Sequence, residues 1–263
     1  MNCISDQYFD GERPLYESRD LRLECVRIGE GESGLKESRQ IEAVECEFEG
    51  MYVIWECEDV ECRNCHFAES DRAPLWYNRN IRVYDCLIDA PKAFREVDGL
   101  RLERIWITNG AETFWYCRNG QIADLHMENG LYAFMHAKDL WISQVGLSGK
   151  YIFQYARNME IHNAVLDTKD AFWESENCTV YDSEIKGEYL GWYSRNLRLV
   201  RCRISGTQPL CYCENLILED CILDESCDRA FEKSSYRVSE LGNSRIYNSR
   251  IPNSRIEINK NHG

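Results

Sequence analysis

The sequence lacks the features that mark several broad classes of protein. Proline and glycine are scarce, with 5 and 16 residues in a chain of 263, which excludes a collagen-like or linker-dominated chain. No apolar run reaches the roughly 18 residues that a transmembrane helix needs. The first residues also lack the basic and apolar segments of a signal peptide. We therefore expect a cytoplasmic protein with no membrane partner.

Basic residues are in the minority as well. The chain has 31 Lys and Arg residues against 45 Asp and Glu residues, which gives a net charge of −14. Because nucleic-acid binding depends on clustered basic side chains that contact phosphates, this balance argues against a nucleic-acid partner. Apolar residues make up 44% of the chain and aromatic residues 12%, so a sizeable core is expected.

One segment recurs along the chain at a nearly constant interval. Its clearest copies occupy 78–88, 194–204 and 213–223 and share an Asn, alternating apolar residues and a Cys. Successive copies begin 19 to 21 residues apart. Alternation with a period of two is typical of a strand with one buried face. Because such a unit cannot bury its apolar face alone, we expect the units to stack on one another.

The repeat predicts an all-β fold, a single-stranded right-handed parallel β-helix of about eleven coils of 19–21 residues. Each strand would hydrogen-bond to its copies above and below, and crossovers between parallel strands are right-handed. A leucine-rich repeat is the alternative fold, since it has a similar spacing of apolar residues. The two differ in helix content, because the leucine-rich repeat would carry helices.

The decay of the repeat sets the expected boundaries. We assign 1–263 to a single domain, with an N-terminal cap at 1–14, coils at 15–224, and a C-terminal cap and tail at 225–263. Ala230 and Phe231 resemble the start of a twelfth coil. Beyond them Asn-Ser-Arg-Ile recurs every five residues from residue 243. A cap is physically needed because an exposed last coil would invite edge-to-edge association.

Aligned copies place residues of one chemical type in vertical columns. A column of mostly Asn and Asp, from Asp20 to Asn215, is predicted at a bend, where it tolerates a left-handed backbone and hydrogen-bonds from coil to coil. A second column is predicted to point inward, where its thiols pack as small apolar groups. It contains Cys46, Cys65, Cys86, Cys202 and Cys221. A zinc site is the alternative for four closely spaced residues, Cys57, Cys62, Cys65 and His66. Because three of those four fall in structural columns, we expect no metal and no cofactor.

Aromatic side chains form a column of their own. Five of the seven tryptophans fall in it, namely Trp55, Trp76, Trp115, Trp173 and Trp192. Alternation turns this column outward, opposite the buried Phe and Leu residues. The next column is rich in Glu and Tyr, and alternation would turn it inward. Because so many acids are implausible in a core, we expect the strand to end there, at a corner.

The candidate site lies where aromatic and acidic columns meet. The candidate acids and bases are Asp170, Glu174 and Glu188, and the candidate substrate-binding residues are Trp115, Lys169, Trp173, Tyr189, Trp192 and Tyr193. Two carboxyl groups beside aromatic side chains are what a glycoside-processing site uses. No nucleophile elbow, phosphate-binding loop, dinucleotide fingerprint or metalloprotease motif accompanies them.

Four segments carry a resemblance to a known family; they occupy 7–15, 90–95, 169–173 and 187–192. There the chain resembles a bacterial family filed as domain of unknown function 3737, and the resemblance covers nearly the whole chain. It implies a right-handed, pectate-lyase-like β-helix, with no established activity and no catalytic residues to transfer. The arginines and calcium-binding aspartates of pectate lyases have no counterpart that can be placed in this chain.

Two classes of function are therefore expected. The first is a carbohydrate-binding or carbohydrate-active protein, a hydrolase or lyase, whose partner is a saccharide. The alternative is a non-catalytic scaffold or protein-interaction module whose aromatic face packs against a partner protein or against a second copy in a homo-oligomer. Glutamates on successive coils, Glu17, Glu37 and Glu56, would repel one another unless they were solvated, protonated or bridged by a cation.

Overall fold

A computed structural model describes residues 1–239. These residues form strands and turns and contain no helix, which excludes the leucine-rich repeat. Within them, no helix is long and apolar enough to cross a membrane. The chain divides into two compact units, Met1–Gly130 and Leu131–Gly263. The Asn-Ser-Arg-Ile recurrence from residue 243 lies outside the described residues.

Twenty strands are present in residues 1–239. The first unit holds β1 (Asn2–Ser5), β2 (Tyr8–Glu12), β3 (Arg19–Glu24), β4 (Arg27–Glu32), β5 (Arg39–Val44), β6 (Glu47–Phe48), β7 (Glu58–Arg63), β8 (His66–Phe67), β9 (Arg79–Ile88), β10 (Asp98–Ile107) and β11 (Arg118–Leu131), whose last residue begins the second unit. The second unit continues with β12 (Lys138–Lys150), β13 (Arg157–Lys169), β14 (Thr179–Tyr181), β15 (Glu184–Lys186), β16 (Arg198–Val200), β17 (Arg203–Ser205), β18 (Leu216–Glu219), β19 (Ile222–Leu223) and β20 (Tyr236–Ser239).

Strands of the first unit pair in parallel with their copies one coil away. The pairs β3–β5, β5–β7, β7–β9, β9–β10 and β10–β11 align one apolar column: Leu21, Ile41, Val60, Ile81, Leu100 and Gly120. This is the first apolar column that the repeat predicts. The residues before the first clear repeat also join the stack, because β1 pairs with β3 and β2 pairs with β4, both in parallel.

The second unit follows the same rule. The pairs β12–β13, β13–β15, β15–β17 and β17–β19 align another apolar column: Leu147, Leu166, Ile185, Ile204 and Leu223. Phe231 is buried and β20 pairs in parallel with β18, as expected of a twelfth coil. The predicted fold class, an all-β right-handed parallel β-helix, is confirmed, with about twelve turns.

Phenylalanine rings form the centre of each core. In the second unit Phe134, Phe153 and Phe172 are buried, with ring centroids 4.9 and 5.3 Å apart along the stack. In the first unit Phe94 and Phe114 stack at 4.9 Å with planes 10° apart. These separations match the distance between neighbouring strands. The repeat therefore turns one sequence position into a continuous column of ring contacts.

The predicted Asn and Asp ladder is present at a left-handed bend. Asn158, Asn177 and Asn196 have φ of 52°, 55° and 52°. The Nδ2 of Asn177 donates to Oδ1 of Asn158 at 3.2 Å, and Nδ2 of Asn196 donates to Oδ1 of Asn177 at 2.7 Å. Each side chain therefore both tolerates the bend and links two coils.

The inward cysteine column is aligned as predicted. Cys46, Cys65 and Cys86 are buried, and the backbone N–H of Cys65 donates to Sγ of Cys86 at 3.2 Å. All cysteines are free thiols. The alternative zinc set is divided between two faces: the Sγ atoms of Cys57 and Cys65 donate to core carbonyls, whereas half-buried His66 contacts Asp89. Within residues 1–239 no group of His, Cys, Asp and Glu side chains has the geometry of a metal site.

Thiol reactivity should reflect this burial. Of the 14 cysteines, only Cys3 and Cys25 are exposed. Burial also raises the pKa of Cys57 and of Cys213 to about 12, which removes the reactive thiolate. We expect an alkylating reagent to label Cys3 and Cys25 in the native protein and all 14 cysteines in denaturant. Peptide mass spectrometry checks this, and fast native labelling of the buried cysteines would contradict the inward column.

Candidate functional site

The column of Glu and Tyr residues stands at a corner in both units, as the sequence predicts. In the first unit Glu56 and Tyr77 have φ of 56° and 60°, and in the second Glu174 and Tyr193 have φ of 52° and 58°. A single left-handed residue bends the backbone sharply at that position. The side chain therefore leaves the alternating pattern of the strand and points away from the core, which explains how acids occupy this column.

The tryptophan column next to this corner is half-buried. In the second unit Trp173 and Trp192 have ring centroids 5.8 Å apart, with planes 40° apart. Trp173 donates its Nε1–H to Oε1 of Glu174 at 3.1 Å, and Trp192 donates to the carbonyl of Gln208 at 2.9 Å. The indole rings are therefore held by ring contact and by hydrogen bonds. Together Trp173 and Trp192 form an aromatic wall beside the corner.

An open groove of about 550 Å³ runs along the corner in the second unit. Five lining residues come from the corner column, namely His136, Tyr155, Glu174, Tyr193 and Tyr212. Four come from the column two residues later, Arg157, Glu176, Arg195 and Glu214, and Ser175 comes from the column between these two. We refer to this feature as the tyrosine groove. Five successive coils each contribute one corner side chain, so the groove repeats the same kind of contact along its length.

The aromatic side chains of the tyrosine groove form two stacked pairs. His136 and Tyr155 have ring centroids 4.8 Å apart with planes 12° apart, and Tyr193 and Tyr212 are 5.0 Å apart at 22°. Glu174 lies between the pairs in the column and is exposed. Because near-parallel rings cover one another's faces, the Tyr rings offer the groove their edges and hydroxyls rather than broad aromatic faces.

Charges beside the tyrosine groove alternate along the coils. Nε of Arg157 lies 3.5 Å from Oε2 of Glu176, and Nε of Arg195 lies 3.2 Å from Oε2 of Glu214. These exposed pairs contribute little to stability. Burial and the charge of Arg157 lower the pKa of His136, which favours the neutral imidazole. The groove is therefore close to neutral and dense in hydrogen-bonding groups.

The structure divides the predicted site residues. Glu174 and Tyr193 line the tyrosine groove, and Trp173 and Trp192 form the wall beside it. Three other predicted residues contact one another and reach the wall through Tyr189, whose ring centroid lies 4.6 Å from that of Trp192. Nζ of Lys169 lies 2.8 Å from Oε2 of Glu188 and 5.0 Å from the ring centroid of Tyr189. That group does not line the groove. Trp115 belongs to the first unit.

Asp170 differs from the other candidate acids because it is buried. Only 1% of its surface is exposed. Burial raises the pKa of its carboxyl, and the charges of Lys169 and Lys150 oppose that effect. A raised pKa suits a general acid. The side chain, however, is not part of the lining of the tyrosine groove.

Two of the three glutamates on successive coils of the first unit, Glu37 and Glu56, contact the same lysine. Nζ of Lys36 lies 3.6 Å from Oε1 of Glu37 and 3.4 Å from Oε2 of Glu56. Glu37 also accepts a hydrogen bond from the hydroxyl of Tyr16 at 3.0 Å, and this bond raises the pKa of Tyr16. Repulsion between the successive carboxylates is thus relieved by the protein's own side chains.

Comparison with known proteins places the chain in a family. A family model described as "Protein of unknown function (DUF3737)" matches residues 2–260. The chain belongs to this family. No curated protein matches this DUF3737 member.

Several solved structures are similar to this DUF3737 protein at low identity. A trypsin-treated variant of QnrB1, a plasmid-mediated fluoroquinolone resistance protein, has a TM-score of 0.30 and 12% identity, covering 85% of this chain and 92% of its own. HetL, a pentapeptide repeat protein from the cyanobacterium Nostoc, has a TM-score of 0.30 and 12% identity, covering 87% and 85%. A mutant tailspike protein of the E. coli bacteriophage HK620 has a TM-score of 0.30 and 9% identity, covering 92% and 51%. The pectate-lyase-like subclass is not shown by these matches and stays a prediction.

Sequence reasoning missed the charged side of the tyrosine groove. The signal was present two residues after the corner column, where the side-chain charge alternates every 19 residues along Arg157, Glu176, Arg195 and Glu214. It was overlooked because the apolar and aromatic columns define the repeat. His136, Tyr155 and Tyr212 stood in the corner column, but only the structure shows that they line one groove with Glu174.

Proposed function

We propose that the DUF3737 protein binds a neutral oligosaccharide in the tyrosine groove. The supporting observation is that Tyr155, Tyr193 and Tyr212 line one open groove together with Glu174. A saccharide chain presents hydroxyl groups at regular intervals along its length. A groove in which each coil repeats one type of polar contact is suited to such a ligand.

The chemistry of the groove favours hydrogen bonding over ring stacking. Phenol hydroxyls both donate and accept, guanidinium groups donate, and carboxylates accept, so donors and acceptors alternate along the ligand. Glu174 is positioned by the indole N–H of Trp173 at 3.1 Å, which leaves its other carboxylate oxygen for a ligand hydroxyl. The ion pairs of Arg157 and Arg195 balance their charge, and this supports a neutral ligand.

We propose binding rather than cleavage for this groove. Glycoside cleavage uses two carboxyl groups that flank the scissile bond. Glu174 is the one predicted acid that lines the groove; Glu176 and Glu214 are ion-paired with arginines, and buried Asp170 lies outside the lining. Cleavage of a bound saccharide by the purified protein would instead favour the hydrolase or lyase alternative.

Removal of one phenol hydroxyl tests the proposal. A neutral-oligosaccharide array identifies a ligand, and isothermal titration calorimetry then compares the wild type with Tyr193→Phe. We expect an affinity about threefold to tenfold weaker, because one hydrogen bond is lost while the ring stack on Tyr212 is kept. Tyr181→Phe is the matched control: half-buried Tyr181 lies on β14, outside the groove, and its variant should bind like the wild type.

Two results would contradict the proposal. One is equal affinity of Tyr193→Phe and the wild type for the identified ligand. The other is an array on which no neutral oligosaccharide binds. In that case sedimentation analysis addresses the alternative, an interaction module, for which self-association or a stable complex with another protein is expected.

A further inference from the structure

The first unit holds an arginine between two tryptophans. The Cζ atom of Arg95 lies 4.8 Å from the ring centroid of Trp76 and 4.9 Å from that of Trp115. Trp55 stacks on Trp76 at 5.4 Å with planes 28° apart, and Nε1 of Trp76 donates to the carbonyl of Lys92 at 2.5 Å. The guanidinium therefore lies in a slot whose wall is fixed by stacking and by a hydrogen bond.

This arginine carries an unpaired charge. Among residues 1–239 the Arg95 side chain forms no ion pair and donates no hydrogen bond, and its Nε is buried without an acceptor. In a chain with 45 acidic residues, most arginines of the same unit, such as Arg82 and Arg104, contact a carboxylate. The Arg95 side chain as a whole is half-buried rather than enclosed.

The physical consequence is a site prepared for an anion. Aromatic faces stabilise a guanidinium by cation–π attraction and fix its plane, but they provide no hydrogen-bond acceptor. A guanidinium held in one orientation loses little further entropy when it binds a partner. Its parallel N–H groups match the two oxygens of a carboxylate.

We propose that Arg95 binds the carboxylate of a small ligand or of an acidic sugar. A carboxylate is flat, and it can lie in the plane of the guanidinium between the edges of Trp76 and Trp115. A phosphate is tetrahedral and carries more negative charge, which a single arginine in a protein of net charge −14 does not balance. This site is in the first unit and does not depend on saccharide binding by the tyrosine groove.

Titrations with simple probes test the Arg95 site. Tryptophan fluorescence is followed while D-glucuronate, D-glucose, acetate or inorganic phosphate is added to the full-length protein. We expect a saturable change in fluorescence with glucuronate, and we expect this change to depend on Arg95. Glucose should cause no Arg95-dependent change. Equal affinity for acetate and glucuronate would assign the site to free carboxylates, and tighter binding of glucuronate would assign it to an acidic sugar.

Variants connect the signal to the guanidinium. Arg95→Gln should weaken carboxylate binding at least tenfold, since charge-assisted bidentate hydrogen bonds are lost. Arg95→Lys keeps the charge and should lose most of the affinity as well, because a lysine lacks the planar fork. Arg101→Gln is the control: Arg101 is exposed in the same unit, and its variant should bind within about twofold of the wild type.

The proposal is overturned by any of three results. The wild type shows no saturable response to either carboxylate, Arg95→Gln binds the carboxylates as the wild type does, or phosphate binds more tightly than both carboxylates. Thermal melting of each variant identifies loss of fold. Should Arg95→Gln unfold, Arg95→Lys with the same probes decides the question.

Discussion

Replacing Phe153 by Ala should lower the unfolding free energy by about 3–5 kcal/mol. The ring is completely buried and lies between Phe134 and Phe172, at 4.9 and 5.3 Å. Truncation removes contacts with the coil above and with the coil below. The cavity cannot close easily, because the neighbouring backbones are fixed in parallel strands. Urea denaturation followed by circular dichroism measures the loss.

A matched control separates the buried column from a general effect of smaller side chains. Val165 lies on β13 of the same unit and is 56% exposed, so Val165→Ala should cost less than about 1 kcal/mol. Equal losses for the two variants would mean that the Phe column does not hold the coils together. A shift in the urea midpoint without a change in slope would indicate an effect on stability alone.

Replacing Asp71 by Asn should change how stability depends on pH. Asp71 is completely buried where neighbouring coils have Gly50 and Ala90, and both of its carboxyl oxygens lack a hydrogen-bond partner. Burial raises the pKa of its carboxyl well above the usual range. The folded protein therefore keeps a proton that the unfolded chain releases above about pH 4.

The sign of the effect follows from proton binding. Between its unfolded pKa and its higher folded pKa, Asp71 binds more protons in the folded state, so this group alone lowers the stability by about 1.4 kcal/mol for each pH unit of increase. Asp71→Asn removes this slope. The variant should resemble the wild type near pH 4 and become progressively more stable than it as the pH rises. Urea denaturation at pH 4 to 8 measures the difference.

An aspartate with the opposite pKa shift provides the control for Asp71. The pKa of exposed Asp85 is lowered by its hydrogen bond to Arg104, so its carboxylate stabilises the fold above its unfolded pKa and this contribution disappears on acidification. Asp85→Asn should therefore produce a small difference of the opposite sign. A stability difference between Asp71→Asn and the wild type that stays constant with pH would show that Asp71 is ionised in the folded protein.

Much of the fold could be predicted because the repeat constrains each position many times. A single coil leaves the direction of Leu21 ambiguous, but its alignment with Ile41 and Val60 identifies a buried column, which the strand register confirms. The corner of Glu174 was also predictable, since an acid in a core position is energetically costly. Sequence alone then gives the direction of a side chain from its position in the coil.

The remaining features could not be predicted because they depend on contacts between different columns. Arg95 stood in the aromatic column, yet its contacts with Trp76 and Trp115 require known ring orientations. Asp71 stood four residues before a core position, and only the structure shows that its carboxyl oxygens are sealed from solvent and have no hydrogen-bond donor. The candidate acids Asp170 and Glu174 are four residues apart and both have a left-handed backbone, yet Asp170 is buried and Glu174 is exposed.

A crystal structure of the protein with a bound neutral oligosaccharide tests the account most directly. The tyrosine groove predicts a saccharide chain that runs along successive coils, with its hydroxyls hydrogen-bonded to Tyr155, Glu174 and Tyr193. A saccharide bound on another face, or the phenol hydroxyls of the groove turned into contacts with the protein itself, would contradict it.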